Sequence, residues 1–206
     1  MADNLVSLYP TSLLHRHIPG MEETNRQLAA FIMSIEESEP NAVDGSTNEG
    51  GFQTNTEFLK RDHPALNVLK QHMTTAVQSY ARTLVEQECS ARPSRLDFVF
   101  WGWGAILREG NTQGVHVHPY ANISGVYYVA APPSALDAGD GGKICFYDPR
   151  PRANMNQLPR QITRRRQSPV PGDMILFPSW LEHSVTAFRG PGERICVAFN
   201  AKLAAV

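Results

Sequence analysis

Apolar residues in the first part of the chain recur at roughly helical spacing, and from residue 96 onward they recur at strand spacing. Between Pro19 and Pro40, Met21, Leu28, Ala29, Phe31, Ile32 and Ile35 fall about 3.6 residues apart or on neighbouring turns, which predicts an amphipathic helix ended by Pro40. Residues 40–56, PNAVDGSTNEGGFQTNT, are turn formers almost throughout. A connection of that length reads as a functional loop or as disorder, and not by itself as a domain boundary. A second helix is expected from the start signals Asp62 and Pro64, with Leu66, Val68, Leu69, His72, Met73, Ala76, Val77, Tyr80, Leu84 and Val85 as its buried stripe and an end before Pro93. Beyond Pro93, short runs of Val, Ile, Phe, Tyr and Trp are separated by Gly, Pro, Asp and Asn. They predict strands near 96–108, 115–118, 123–130, 143–147, 173–178, 182–188 and 194–201. With no helical pattern between them, these strands argue for a mainly β (α+β) fold, an antiparallel sandwich or barrel with both helices packed outside it. The whole chain, 1–206, reads as a single domain, with 1–92 largely helical and 93–206 forming the β core.

The β region carries the candidate chemistry. In GVHVHPY, strand alternation sets His116 and His118 on one face with Cα atoms about 6.6–7 Å apart, within reach of one metal ion. Pro119 biases His118 toward extended geometry. His183, in FPSWLEHSV 65 residues after His118, is the candidate third ligand from a separate strand. Glu182 would point to the opposite face of a regular strand. His15 and His17 fall in an expected loop, His63 at a helix start and His72 on a helix face, so all four read as structural or surface residues. In GERICVAFN, alternation groups Arg194, Cys196, Ala198 and Asn200 on one face against Ile195, Val197 and Phe199. An arginine set among small residues on a strand offers a fork of donors to a carboxylate, as an anchor for an acidic substrate or co-substrate or as an edge ion pair.

Composition narrows the partners. The chain has 19 basic and 20 acidic residues and a net charge of −1, which argues against a generally basic nucleic-acid binder or attraction to an anionic membrane. Three widely spaced cysteines, Cys89, Cys145 and Cys196, indicate neither a disulfide framework nor a cysteine-rich zinc site. With no signal-peptide pattern and no long apolar run, a soluble cytoplasmic protein is expected. Six arginines, Arg150, Arg152, Arg160, Arg164, Arg165 and Arg166, crowd into one segment read as a solvated loop. They form a local positive rim that keeps an anionic substrate or nucleic-acid contact open.

Taken together, HVHPYANISGVYYV, GGKICFYDPR and PGDMILFPSWLEHSVTAFRGPGERICVAFN resemble the Fe(II)- and 2-oxoglutarate-dependent oxygenases. The likeness covers roughly residues 96–202 and is strongest to a bacterial and phage branch with an HxHP, SGVYYV, FPSWLxH and Arg pattern, more distantly related to prolyl hydroxylases. It implies a double-stranded β-helix, a cupin-like jelly roll supported by N-terminal helices. It also implies two cofactors, Fe(II) and 2-oxoglutarate, and a hydroxylation coupled to conversion of 2-oxoglutarate to succinate. Residue by residue, His116 and His183 match the histidine ligands of iron, Arg194 the clamp for the distal carboxylate of 2-oxoglutarate, and Tyr128 a tyrosine that assists the clamp. Tyr128 shares the face of Ser124 and Val126, a parity that a bulge would reverse, and Tyr127 points away into the core.

The chain departs from the family pattern twice. Where most members carry a carboxylate two residues after the first histidine, this chain has His118, which leaves an Fe(II) site at +2. Asp148 in FYDPR is the alternative carboxylate, although its place before a proline suits a turn cap. Near the clamp arginine, Cys196 replaces the usual Ser or Thr. Two other readings stand beside the oxygenase: a three-histidine zinc hydratase or hydrolase, which would need no carboxylate clamp, and a non-enzymatic jelly-roll module. The substrate, a small molecule or a protein side chain, would be selected by the loops at 40–56, 131–142 and 148–172, with Trp101, Trp103 and Trp180 lining its pocket or filling the core. A homodimer is compatible with the sequence.

Overall fold

Strand β11 (Arg194–Ala205) shows how alternation builds the molecule. Its odd-numbered residues Ile195, Val197, Phe199 and Ala201 join the core beneath the helices, while Arg194, Cys196, Ala198 and Asn200 line a cavity on the other face. The computed structural model describes residues 3–40, 47–90, 96–133, 141–153, 155 and 158–205. In chain order the elements are β1 (Leu14–His17), α1 (Glu22–Ser38), β2 (Asn48–Glu49), β3 (Phe52–Gln53), a 3-10 turn (Phe58–Lys60), α2 (Pro64–Glu88), β4 (Leu96–Leu107), β5 (Thr112–His116), β6 (Ile123–Ala130), β7 (Ile144–Tyr147), β8 (Arg164–Gln167), β9 (Asp173–Pro178), β10 (His183–Val185) and β11.

The strands form two antiparallel sheets, a large one of order β1-β9-β6-β11-β4-β3 and a small one of order β2-β5-β10-β7-β8. Helices α1 and α2 cover the outer face of the large sheet. Leu28, Ile32 and Ile35 of α1 and Leu66, Leu69, Met73 and Tyr80 of α2 pack on Ile106, Tyr127, Met174, Leu176 and Val197. Each fully buried aliphatic side chain there contributes about 1.5–3 kcal/mol. Gly104 permits the close approach of α1, because a Cβ at that position would lie 2.9 Å from Cγ1 of Ile32. Between the sheets lies a second core of Val126, Tyr128, Ile144, Phe146, Ile175, Phe177, Leu181 and Cys196. This is the double-stranded β-helix with supporting helices that the motifs implied. Among the described residues, no helix is long and apolar enough to cross a membrane.

Three local expectations are corrected. His15 and His17 lie on strand β1, not in a loop, and β1 pairs with β9 along its whole length. Both imidazoles meet the buried Asp173 carboxylate, His15 Nε2 at 2.6 Å and His17 Nδ1 at 2.7 Å, so a polar staple replaces the apolar run that would have marked a strand. RRRQ is strand β8, paired with β7, where the arginine segment reads as loop because an edge strand needs no buried face. Strand β5 starts at Thr112 and ends at His116, and β10 stops at Val185.

Candidate active site

The histidines meet across two short strands of the small sheet. His183 on β10 sits opposite His116 on β5, yet Val185 pairs with Gln113, so β5 carries one extra residue between the two pairs. This bulge lets Gln113 and His116 both face the cavity. His118 follows β5, held where its backbone N–H donates to the carbonyl of Ser179 at 2.9 Å. Nitrogen atoms of His116, His118 and His183 all lie within 4.8 Å of one another, and the Nε2 atoms of His118 and His183 are 3.2 Å apart.

The protonation state suits metal binding. His116 Nδ1–H donates to Gly114 O and His183 Nδ1–H donates to Leu181 O, each at 2.8 Å, which leaves Nε2 of both rings unprotonated, that of His183 facing Nε2 of His118. Burial holds all three imidazoles neutral: it lowers His116, and with neighbouring histidine charge it lowers His118 to about 4 and His183 to about 3. Three neutral donors on rigid backbone contacts form a set that can hold a divalent transition metal. Asp148 is elsewhere. Its carboxylate accepts from the backbone N–H of Arg150 at 3.1 Å and from its guanidinium at 3.0 and 2.6 Å, capping the turn after β7. The Arg150 contacts pull its pKa down to about 2. The third side chain beside His116 and His183 is therefore His118.

Arg194 opens β11 and is 1% exposed. Its Nε donates to Gly142 O at 2.9 Å and Nη1 to Cys196 Sγ at 3.4 Å, and its Cζ lies 5.0 Å from the centre of the Tyr128 ring. Gly142, at φ 66°, leaves room for it, since a Cβ there would come 3.1 Å from Cδ of Arg194. Among the described residues no carboxylate pairs with this guanidinium. The Tyr128 hydroxyl is also buried without a hydrogen-bond partner, and burial, opposed by Arg194, pushes it up to about 12. The β6–β11 register slips beyond Tyr128, between Ile195 and Cys196, so Tyr128 keeps the face of Val126. Tyr127 points the other way and donates to Asn25 Oδ1 at 2.7 Å.

A cavity of about 320 Å³ joins these parts. Its wall includes the three histidines, Arg194, Cys196, Asn200, Trp101, Trp103 and Phe177, and its polar side carries Thr47, Gln53, Thr56 and Gln113. The polar side was not anticipated, because alternation back from His116 turns Gln113 outward. Gly114 inside the strand was the only sequence sign of the bulge that turns it in. Of the expected loop 40–56, residues 41–46 lie outside the described residues, and 47–53 reach the cavity by straddling both sheets, with β2 on β5 and β3 on β4. Gln113 Nε2 donates to Asn48 Oδ1 at 2.5 Å, and Asn48 Nδ2 to Gln53 Oε1 at 3.2 Å, which ties the two sheets together there. None of the clustered arginines lines this cavity. Arg150, Arg152 and Arg164 border a separate groove with Tyr147, Trp180 and Glu182, whose strand residues alternate with the inward Phe146 and His183. Arg150, Arg152 and Arg164 thus stand on the outer face of the small sheet, and the arginine cluster is not a rim of the cavity.

A jelly roll that brings three histidines and a buried arginine to one cavity belongs to the class of β folds whose interior can hold a metal ion and an acid side by side. The narrower assignment comes from comparison. Residues 102–200, from Gly102 on β4 to Asn200 on β11, match the family described as "Putative 2OG-Fe(II) oxygenase", so the part of the chain that builds the cavity is similar to the Fe(II)- and 2-oxoglutarate-dependent oxygenases. Its fold is similar to that of a Pseudomonas putida prolyl-4-hydroxylase, at 16% identity and TM-score 0.59, with 93% of this chain and 92% of that one covered. It is similar also to a Trichoplax adhaerens prolyl hydroxylase solved with a hypoxia inducible factor peptide fragment, at 12% identity, TM-score 0.60 and coverage of 92% and 83%. A third similar structure is HygX from Streptomyces hygroscopicus with nickel, 2-oxoglutarate and hygromycin B, at 14% identity, TM-score 0.59 and coverage of 93% and 83%. No curated protein sequence matches the chain.

Proposed function

We propose that His116, His118 and His183 hold Fe(II), that Arg194 and Tyr128 anchor the distal carboxylate of 2-oxoglutarate, and that the protein hydroxylates an uncharged group of a substrate admitted between the Trp101 and Gln113 sides of the cavity. The observation that carries this reading is the pairing of a buried guanidinium lacking a carboxylate with a buried hydroxyl that makes no well-formed hydrogen bond, the two adjacent to each other and the guanidinium in the cavity wall. Both groups carry a desolvation cost that a carboxylate would offset. A zinc hydrolase would leave Arg194 and Tyr128 without a task.

Bound together, Fe(II) and 2-oxoglutarate supply the activation of O2, with 2-oxoglutarate converted to succinate and CO2. The chain's own residues set the geometry. The Gly114 and Leu181 carbonyls fix two imidazoles in the tautomer that presents Nε2 to a metal. Three neutral rings place no negative charge there, which favours entry of a dianion. Gly142 O and Cys196 Sγ orient the Arg194 fork, Cys196 being a weaker partner than the hydroxyl usual in the family. Trp101, Trp103 and Phe177 exclude water from one side of the cavity. The thiols of Cys89, Cys145 and Cys196 are all free, which supports a reducing, cytoplasmic setting. Prolyl hydroxylases among the similar structures support a protein side chain as substrate, and HygX supports a small molecule. The cavity's amide-rich side suits either.

The test is anaerobic titration with Fe(II) and 2-oxoglutarate, followed by the visible charge-transfer band of the chelate and then by succinate release on adding O2. The wild type is expected to show both, His118→Ala to lose iron affinity, and Asp148→Ala to keep it. No band with the wild type would refute the oxygenase, and a band at unchanged 2-oxoglutarate affinity in Arg194→Ala would refute the clamp.

A further inference from the structure

The arginine cluster stands apart from the cavity, on the outermost strand of the small sheet and in the segment that precedes it. Strand β8 ends the order β2-β5-β10-β7-β8, and Arg164, Arg165 and Arg166 are all exposed. Its register determines which backbone groups face outward. The N–H of Asp148 donates to Thr163 O at 3.1 Å, and Tyr147 lies opposite Arg164 with Phe146 opposite Arg165. Bonded and non-bonded pairs alternate along an antiparallel ladder. Arg165 therefore bonds toward β7, and Arg164 turns its N–H and C=O toward an edge on which no described strand lies.

Beside that edge runs the groove bordered by Tyr147, Pro149, Arg152, Arg164, Trp180 and Glu182, about 700 Å³ in volume. Within it Asp148 is neutralised by Arg150. Arg152, Arg164 and Arg165 have no acidic partner among the described residues. Apolar surface is available as well: Ile162 is 78% exposed and Trp180 49%.

We propose that the β8 edge is a docking surface for an acidic, extended polypeptide segment, which adds as a further strand beside Arg164 and sets its carboxylates against Arg152, Arg164 and Arg165. Outward backbone groups supply hydrogen bonds that only another peptide backbone matches in register, and alternate side chains of the added strand meet the arginines on either face. A single-stranded nucleic acid fits less well. One exposed indole cannot stack a run of bases, and Glu182 opposes a continuous row of phosphates. Arginines that merely guard a sheet edge against aggregation require neither the groove nor the exposed Ile162 and Trp180.

The test uses fluorescence anisotropy of a labelled peptide of about 12 residues alternating Glu and Thr, beside the same peptide N-methylated at alternate residues and an oligothymidylate of equal length. Binding of the plain peptide is expected at about 50 mM salt, weakening severalfold at about 200 mM. Arg164→Ser/Arg165→Ser should weaken it about tenfold or more with unchanged circular dichroism, and Arg164→Lys should stay within about threefold of wild type. N-methylation should cost at least about fivefold, since it removes strand pairing and keeps the charge. Absence of peptide binding, equal affinity in the double variant, indifference to N-methylation, or tighter binding of the oligothymidylate would each overturn the proposal.

Discussion

Replacing Tyr128 by Phe should stabilise the ligand-free protein and weaken its hold on 2-oxoglutarate, two effects of opposite sign from one oxygen atom. Tyr128 is fully buried, and its hydroxyl makes no well-formed hydrogen bond among the described residues, its approach to the Arg194 guanidinium being poorly aligned. An unsatisfied buried hydroxyl costs about 1–3 kcal/mol. Phe keeps the ring against Arg194 and leaves a void smaller than a water molecule, so most of that cost is recovered. A gain of roughly 1 kcal/mol corresponds to a rise in Tm of about 2–4 °C for a chain of this size. With 2-oxoglutarate bound, the lost contact is a hydrogen bond to a carboxylate, about 1.5–3 kcal/mol, and affinity should fall roughly 10- to 100-fold. Thermal unfolding of both proteins, with and without metal and 2-oxoglutarate, reads both effects, because the ligand-induced rise in Tm depends on concentration over Kd. A lower Tm for the ligand-free variant would show that the hydroxyl is already satisfied, and an unchanged 2-oxoglutarate affinity would show that Tyr128 has no part in the anchor.

Asp173→Asn should lower stability by about 1–2 kcal/mol, because an amide cannot accept from His15 and His17 at both ends as the carboxylate does; urea unfolding measures it, and an unchanged midpoint would refute the staple. Gly125→Ala should cost about 1–3 kcal/mol, since the added Cβ would lie 2.4 to 2.8 Å from three ring atoms of Phe199. The double variant with Phe199→Leu should recover much of that loss, and failure to recover would refute the clash. Alkaline unfolding tests the buried tyrosines. Burial raises Tyr127 and Tyr128 to about 12 and Tyr80 higher still, so the unfolded chain releases these protons first. The stability they contribute is present below pH of about 10 and is lost as pH rises toward 12, by at most about 1.4 kcal/mol per unit for each group. Urea midpoints that stay flat from pH 9 to 11, or that fall as steeply in Tyr127→Phe/Tyr128→Phe, would contradict the assignment.

The strands most legible in the sequence are those whose two faces differ in kind. On β11, large apolar residues alternate with Arg194, Cys196, Ala198 and Asn200, and the structure keeps that parity along the strand. The convergence of His116, His118 and His183 was readable from the HxH spacing and the distant third histidine, although His118 lies just beyond β5 and not on it. What escaped depends on partners distant in sequence. His15 and His17 resemble loop residues until Asp173, some 156 residues away, lies opposite. Strand β8 has no apolar face because it sits at an edge, and Gln113 enters the cavity only because β5 bulges at Gly114–Val115, shifting the period that alternation assumes.

The cavity is divided mechanically as well as chemically. Its Arg194 side rests on β11 and β4, each 12 residues long and paired without a break from Arg194–Leu107 to Ala205–Leu96, with both helices packed behind. Such a platform can hold a charged anchor to within a fraction of an ångström, as a small, invariant co-substrate requires. The opposite side is assembled from two-residue strands β2 and β3, the bulged β5 and side-chain amides, all low in buried apolar area and therefore readier to yield. The histidines sit between the two, on short strands but pinned by backbone carbonyls at Gly114 and Leu181. Under the proposed function, changes at Thr47, Gln53 or Gln113 should then alter which substrate is admitted while the arginine and the three histidines stay in place, whereas a change at Arg194 or Gly142 should act on 2-oxoglutarate whatever the substrate is.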